Sequence, residues 1–139
     1  ALAHAPFDDS LSRRLIARAA DAGQIWISTV DIHHGSARAR TVAHLGAFAA
    51  RGGRVLYGTD LGNGPLPLGV NRRELLALQE AGIRGDALVA SLTDAWPARS
   101  GIDAVRNFIA GPAPTDRDDL ATWLSHAVVV PTEELTRVD

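Results

Sequence analysis

Two short runs rich in β-branched and aromatic residues, "QIWISTV" (24–30) and "RVLYGT" (54–59), stand between stretches whose apolar residues recur at helical spacing. A third apolar run, "ALAHA" (1–5), opens the chain and is stopped by Pro6, which has no N–H to give a ladder and pushes its predecessor out of the helical region. The resulting order is strand, helix, strand, helix, strand, helix. Short strands alternating with helices of about ten to fifteen residues are the pattern of right-handed βαβ units in a parallel sheet, so the predicted class is α/β.

The helical stretches carry their own start and stop signals. In "FDDSLSRRLIARAADAG" the apolar set is Leu11, Leu15, Ile16 and Ala19, with Asp8, Asp9 or Ser10 available as caps and Gly23 as the stop. Ser36 is the expected cap of "ARARTVAHLGAFAARGG", which should end at Gly52-Gly53, with His44 on its surface or edge. Asn71 is placed to cap "RRELLALQEAG", and "RGDALVASLTDAWPARSG" reads as a further helix or helix pair broken at Pro97. Beyond it, "AVRNFIAGPAP" reads as a strand entering a proline-rich turn, and "DDLATWLSHAVVVPTEEL" as a short helix followed by a strand. Residues 1–102 are therefore expected to form one unit and 103–139 an appended segment outside the main sheet.

Charge and composition exclude several functions. With 139 residues and 46% hydrophobic content the chain can bury one domain-sized core. A formal charge of -2 offers no basic surplus for nucleic acid or an anionic membrane, and no apolar run approaches the roughly 20 residues that span a bilayer. A soluble, cytoplasmic protein is the expectation, with a small molecule as substrate. There is no cysteine, so a metal must sit on His, Asp or Glu. All 14 basic residues are arginine, which removes lysine nucleophiles and Schiff bases from consideration. Methionine is absent even at position 1, and the chain opens within an apolar stretch; it is expected to be the later part of a longer protein.

In a parallel α/β sheet, chemistry gathers at the carboxyl ends of the strands. Those ends hold His4 after the first, Thr29, Asp31, His33 and His34 after the second, and Thr59 and Asp60 after the third. An imidazole and a carboxylate suit Zn²⁺, Mn²⁺ or Fe²⁺, and a carboxylate beside a metal-bound water can serve as its base. Each has an ordinary role to set beside this one: a satisfied histidine, or an Asp that makes a turn. His33 and His34 are adjacent, so in extended chain they point to opposite sides and only one can line a pocket. His126 has no evident partner in the sequence. Gly62, Gly64 and Gly69 match no phosphate-loop spacing and read as loop residues.

Three stretches make the chain resemble the metal-dependent amidohydrolases, in the imidazolonepropionase-like and prolidase-like branch. "LAHAPFDDSLSRRLIARAADAGQIWISTV" is similar to that branch's sixth-strand His, helix and seventh strand ending in Thr. "AFAARGGRVLYGTDLGN" is similar to its eighth strand, where Gly-Thr-Asp carries a carboxylate to the metal. "NRRELLALQEAGIRGDALVASLTDAWPARSGI" is similar to the segment that follows.

The resemblance covers roughly residues 1 to 102. It implies the C-terminal part of a (β/α)8 TIM barrel, strands six to eight with their helices. It also implies a divalent metal, zinc first with manganese or iron as alternatives, held by His4 and Asp60. Asp60 would be the proton shuttle, and Thr59 and Asn63 would orient the carboxylate or face the substrate; His33, from its own place after the second strand, is the histidine expected to line the substrate pocket. The implied reaction is hydrolysis of a C–N bond, in an amide or cyclic amide, by metal-activated water. The family's His-x-His pair, its lysine or Glu from the fourth strand and its fifth-strand His have no counterpart here. The missing N-terminal barrel half is therefore the expected partner, as a second chain or a cleaved segment, and the chain alone should be inactive; a homo-oligomer is a further candidate assembly. The alternative, from another class, is a non-catalytic α/β scaffold or partner-binding module derived from such a barrel.

Overall fold

The computed structural model describes residues 1–63, 65, 66, 68–94 and 105–131. Gly64, Pro97 and the expected boundary at 102/103 lie outside the described residues.

The first helix, α1 (Arg13–Asp21), begins later than the acidic pair suggests. Its cap is Ser12, whose Oγ accepts the Leu15 N–H at 3.2 Å, while Asp9 is spent on the Ser10 N–H at 2.7 Å. Gly23 takes a φ of 65° just past the last turn, the stop its sequence position implies. Strand β1 (Ile25–Ile27) follows, and after α2 (Gly35–Ala49) comes β2 (Arg54–Leu56). The two strands pair in parallel with Trp26 opposite Val55. The opening segment runs along the other edge of β1, where Leu2 forms a parallel bridge with Trp26. The Leu2 N–H donates to the Ile25 carbonyl at 2.8 Å, and Ala5 N–H to the Ile27 carbonyl at 2.8 Å. Residues 1–5 thus form a parallel bridge to β1 rather than the short strand expected.

Side-chain alternation splits β1 between two environments. Trp26, 1% exposed, points to the helices and stacks on Phe48 of α2 with ring centroids 4.0 Å apart and planes 4° from parallel. Such a pair is worth about 0.5–1.5 kcal/mol beyond its area burial. Leu45, Val55, Leu75, Leu78 and Leu88 complete this core. Ile25 and Ile27, on the opposite face, are only half-buried.

Two glycines permit close approach behind the sheet. A Cβ on Gly46 would lie 2.7 Å from the Ala81 carbonyl, and one on Gly53 would lie 2.5 Å from the Phe48 ring. Helix α2 starts at Gly35 with His34 as a cap residue that makes no side-chain hydrogen bond, so Ser36 is not the cap. His44 is not a surface residue: it is 6% exposed, its Nδ1 bonds the Pro6 carbonyl at 2.9 Å and its Nε2 accepts the Leu11 N–H at 3.1 Å. That pairing requires the neutral ring with its proton on Nδ1, and it fastens residues 6–11 to α2.

Helix α3 (Arg72–Glu80) is capped by Asn71, whose Oδ1 accepts the Arg73 N–H at 3.0 Å. Helix α4 (Asp86–Thr93) then returns to β2, where the Tyr57 N–H donates to the Ser91 carbonyl at 2.8 Å. The tail forms a separate antiparallel pair, β3 (Val105–Phe108) with β4 (Val128–Pro131). Between them α5 (Leu120–Leu124) packs on α3, with Arg72 Nε donating to Thr122 Oγ1 at 3.0 Å. His126, at the end of α5, is exposed. The protein is mixed α/β with two small sheets; the described residues form no closed barrel. No described helix is long and apolar enough to cross a membrane.

Candidate functional site

The carboxyl ends of β1 and β2 are locked together by short side chains. Gly58 sits so close to β1 that a Cβ there would be 2.3 Å from Ile27 Cγ2. Its carbonyl accepts the Thr29 N–H at 3.1 Å, and its N–H donates to the buried Ser28 hydroxyl at 3.3 Å. Immediately beyond this junction both chains turn through the left-handed region. Thr29 has a φ of 45° and Asp60 a φ of 55°, and they are the non-glycine residues with positive φ among the described residues. Such a conformation costs roughly 1–3 kcal/mol per residue and persists where the surroundings impose it, commonly at functional sites. For a β-branched Thr it is a genuine outlier.

The two strained residues carry the polar groups that the sequence singles out. The Thr29 hydroxyl lies 3.0 Å from His4 Nδ1, so one nitrogen of that exposed imidazole is oriented by the strand end and Nε2 is the nitrogen left for another partner. The half-buried Asp60 accepts from Asn63 Nδ2 at 2.6 Å, and its carbonyl accepts the Asn63 N–H at 3.1 Å. Thr59, the residue before Asp60, is half-buried. His4 and Asp60 share no hydrogen bond or ion pair; the connection between them runs from His4 to Thr29, across the Thr29–Gly58 bond, and along the chain to Asp60.

His33 lies beside this path. Its ring stacks on Phe7 with centroids 4.1 Å apart, and its Nε2 is buried with no hydrogen-bond partner. Burial, then the neighbouring His4 and His34, hold its pKa below 6.5, so the ring stays neutral. His34 is exposed at the start of α2.

A buried carboxylate that the sequence reading passed over supports the same corner. Glu74, 0% exposed, accepts the Val30 N–H on Oε1 at 2.9 Å and the Asp31 N–H on Oε2 at 2.7 Å. Burial raises its pKa, against the opposing pull of the Ser28 hydroxyl and the two amides. Asp31 in turn accepts from Asn71 Nδ2 at 2.7 Å and Arg73 Nε at 3.1 Å. The Asn71 N–H donates to the Tyr57 hydroxyl at 2.6 Å, and burial raises the pKa of that phenol. The available signal was "NRRE": Asn71 with Glu three residues on is a capping-box pattern. In the folded chain Tyr57 takes the N–H that the glutamate would cap, and Glu74 is released to reach β1.

As a metal site, the donor chemistry fits in part. An imidazole fixed through one nitrogen and a carboxylate held at a strand mouth suit a divalent cation. Two ligands are fewer than zinc requires, and among the described residues no group of three or more His, Asp or Glu gathers as a ligand set. No protein-family model, curated protein or solved structure matches this chain.

Proposed function

We propose that this chain is the C-terminal part of a (β/α)8 metal-dependent hydrolase that cleaves an amide or cyclic-amide C–N bond once the remaining strands are supplied. The observation that carries the reading is the coincidence of strain and chemistry: Thr29 and Asp60 turn left-handed at the mouths of adjacent parallel strands, and Thr29 spends its hydroxyl on His4. The half-buried Ile25 and Ile27 support the partner, because in a closed barrel that face is filled by layers from the other strands.

Zinc, or manganese or iron, held by His4 and Asp60 together with ligands from the partner, would acidify water and polarise the scissile carbonyl. Asp60 takes the proton from the attacking water as its oxygen bonds the carbonyl carbon, and returns that proton to the nitrogen as the C–N bond breaks. Asn63 holds the carboxylate in place for both transfers. Thr29 fixes His4, while Thr59 and the neutral His33 face the small-molecule substrate.

The test is hydrolysis of a panel of amides and cyclic amides by the chain assembled with the polypeptide that completes the barrel and loaded with Zn²⁺. Asp60→Asn should lower kcat by about 10²–10⁴-fold with the assembly intact. An unchanged kcat would remove Asp60 from the chemistry, and an assembly that hydrolyses none of the panel would favour the scaffold reading.

A further inference from the structure

The first turn of α3 touches both strand mouths at once. Toward β1 it sends the Glu74 carboxylate, which takes two consecutive backbone amides, those of Val30 and Asp31, on its two oxygens. It also sends Asn71 Nδ2 and Arg73 Nε to the Asp31 carboxylate. Toward β2 it sends the Asn71 N–H to the Tyr57 hydroxyl, three residues before Asp60. Thr29 is therefore gripped from both sides: its own N–H is held by the Gly58 carbonyl, and the next two amides are held by Glu74.

We infer that Glu74 is a positioning residue: by fixing the Val30 and Asp31 amides it keeps Thr29 left-handed, and through the Thr29 hydroxyl it sets the ring orientation of His4. A helix needs no such arrangement for its own stability. An N3 glutamate normally folds back on its N-cap, and an Asp or Glu in the first turn is favourable while exposed to solvent. Glu74 instead sits at 0% exposure, a costly place for a carboxylate, and both its oxygens serve another element. The strain at Thr29 and the burial at Glu74 are two costs that meet at one turn, and the contact this turn delivers is the one to His4.

The inference rests on the proposed function for why His4 orientation matters, but its readout does not require activity. Nitrogen-15 NMR of the histidine rings reports the hydrogen-bonded state of His4 Nδ1 directly. Glu74→Gln turns one acceptor oxygen into an amide donor facing a backbone N–H. It should move the His4 ring signals toward those of Thr29→Val, which lacks the hydroxyl. Glu74→Asp keeps the charge but draws the oxygens back by one methylene, and should shift the same signals in the same direction by less. Leu78→Ala, which opens the core on the same helix without touching this network, should lower stability and leave His4 unmoved.

His4 signals unchanged in folded Glu74→Gln would overturn the inference, as would an equal shift in Leu78→Ala. Should Glu74→Gln not fold, Glu74→Asp decides on the same criterion. Zn²⁺ affinity, measured in parallel on the chain assembled with the polypeptide that completes the barrel, should fall by about 10–100-fold in Glu74→Gln, as for other residues that orient a ligand. A His4 shift with no Zn²⁺ binding in any variant would leave the positioning role standing and sink the metal reading; Zn²⁺ binding with an unmoved His4 would do the reverse.

Discussion

Gly58→Ala probes the junction on which the two strand mouths depend. The added Cβ would lie 2.3 Å from Ile27 Cγ2, where carbon atoms ordinarily rest about 3.5–4.0 Å apart, so something must move by more than about 1 Å. Ile27 cannot swing away cheaply, because its β-branched side chain has restricted χ1 freedom. Overpacking of this kind costs about 1–3 kcal/mol, and with so stiff a neighbour the upper half of that range, about 2–3 kcal/mol, is expected. For a chain of this size that lowers Tm by about 6–9 °C. Ile27→Leu moves the branch from Cβ to Cγ and removes the offending methyl at a cost under about 1.5 kcal/mol. In urea denaturation the double variant should recover about 1–2 kcal/mol relative to the sum of the two single losses. A Gly58→Ala loss below about 0.5 kcal/mol, or strict additivity with Ile27→Leu, would refute the packing described for this junction.

Three further variants test the surroundings. His44→Ala removes both the Pro6 and Leu11 bonds from a buried site and should cost about 2–4 kcal/mol, with faster hydrogen exchange at the Leu11 amide; unchanged exchange there would refute the clamp. His33→Phe keeps the stack on Phe7 and removes a buried nitrogen that has no partner, so thermal melts should show it at least as stable as the parent. The folded pKa of His33 is lowered, so the parent's stability from this group is present above pH 6.5 and is lost as pH falls through the folded value; the advantage of His33→Phe should grow on acidification below pH 6.5. Glu74 has a raised folded pKa, so its contribution is full below pH 4.5 and is lost as pH rises through the folded value. The Tm of the parent relative to Glu74→Gln should therefore decline as pH climbs above 4.5, and a rise over that window would contradict the burial of this carboxylate.

Much of the framework was legible because it rests on local rules. β-Branched runs between helical periods indicated parallel pairing, Asn71 capped the helix its position implied, and Gly23 ended another. Caps with rivals were less legible. Asp8, Asp9, Ser10 and Ser12 all have capping chemistry; in the folded chain Ser12 takes the role, in a helix that buries Ile16, and Asp9 bonds the Ser10 N–H instead. His44 looked like an edge residue because its partners, Pro6 and Leu11, lie more than thirty positions away and offer only backbone groups, which no side-chain pattern announces. Glu74 was hidden for a related reason. Its local pattern has a complete local explanation, which fails only because Tyr57, fourteen residues before Asn71, takes the capping N–H. The strand-end residues Thr29 and Asp60 could be located from sequence, but their left-handed backbone could not, since neither is a residue type that requires it.

Calorimetric titration of Zn²⁺ into the chain assembled with the polypeptide that completes the barrel bears most directly on the claim that His4 and Asp60 serve one cation. Saturable binding of one ion is expected, weakened at least about tenfold by His4→Ala and likewise by Asp60→Asn, with the double variant no weaker than the weaker single. Binding unaffected by either substitution, or two losses that add as for separate sites, would contradict it.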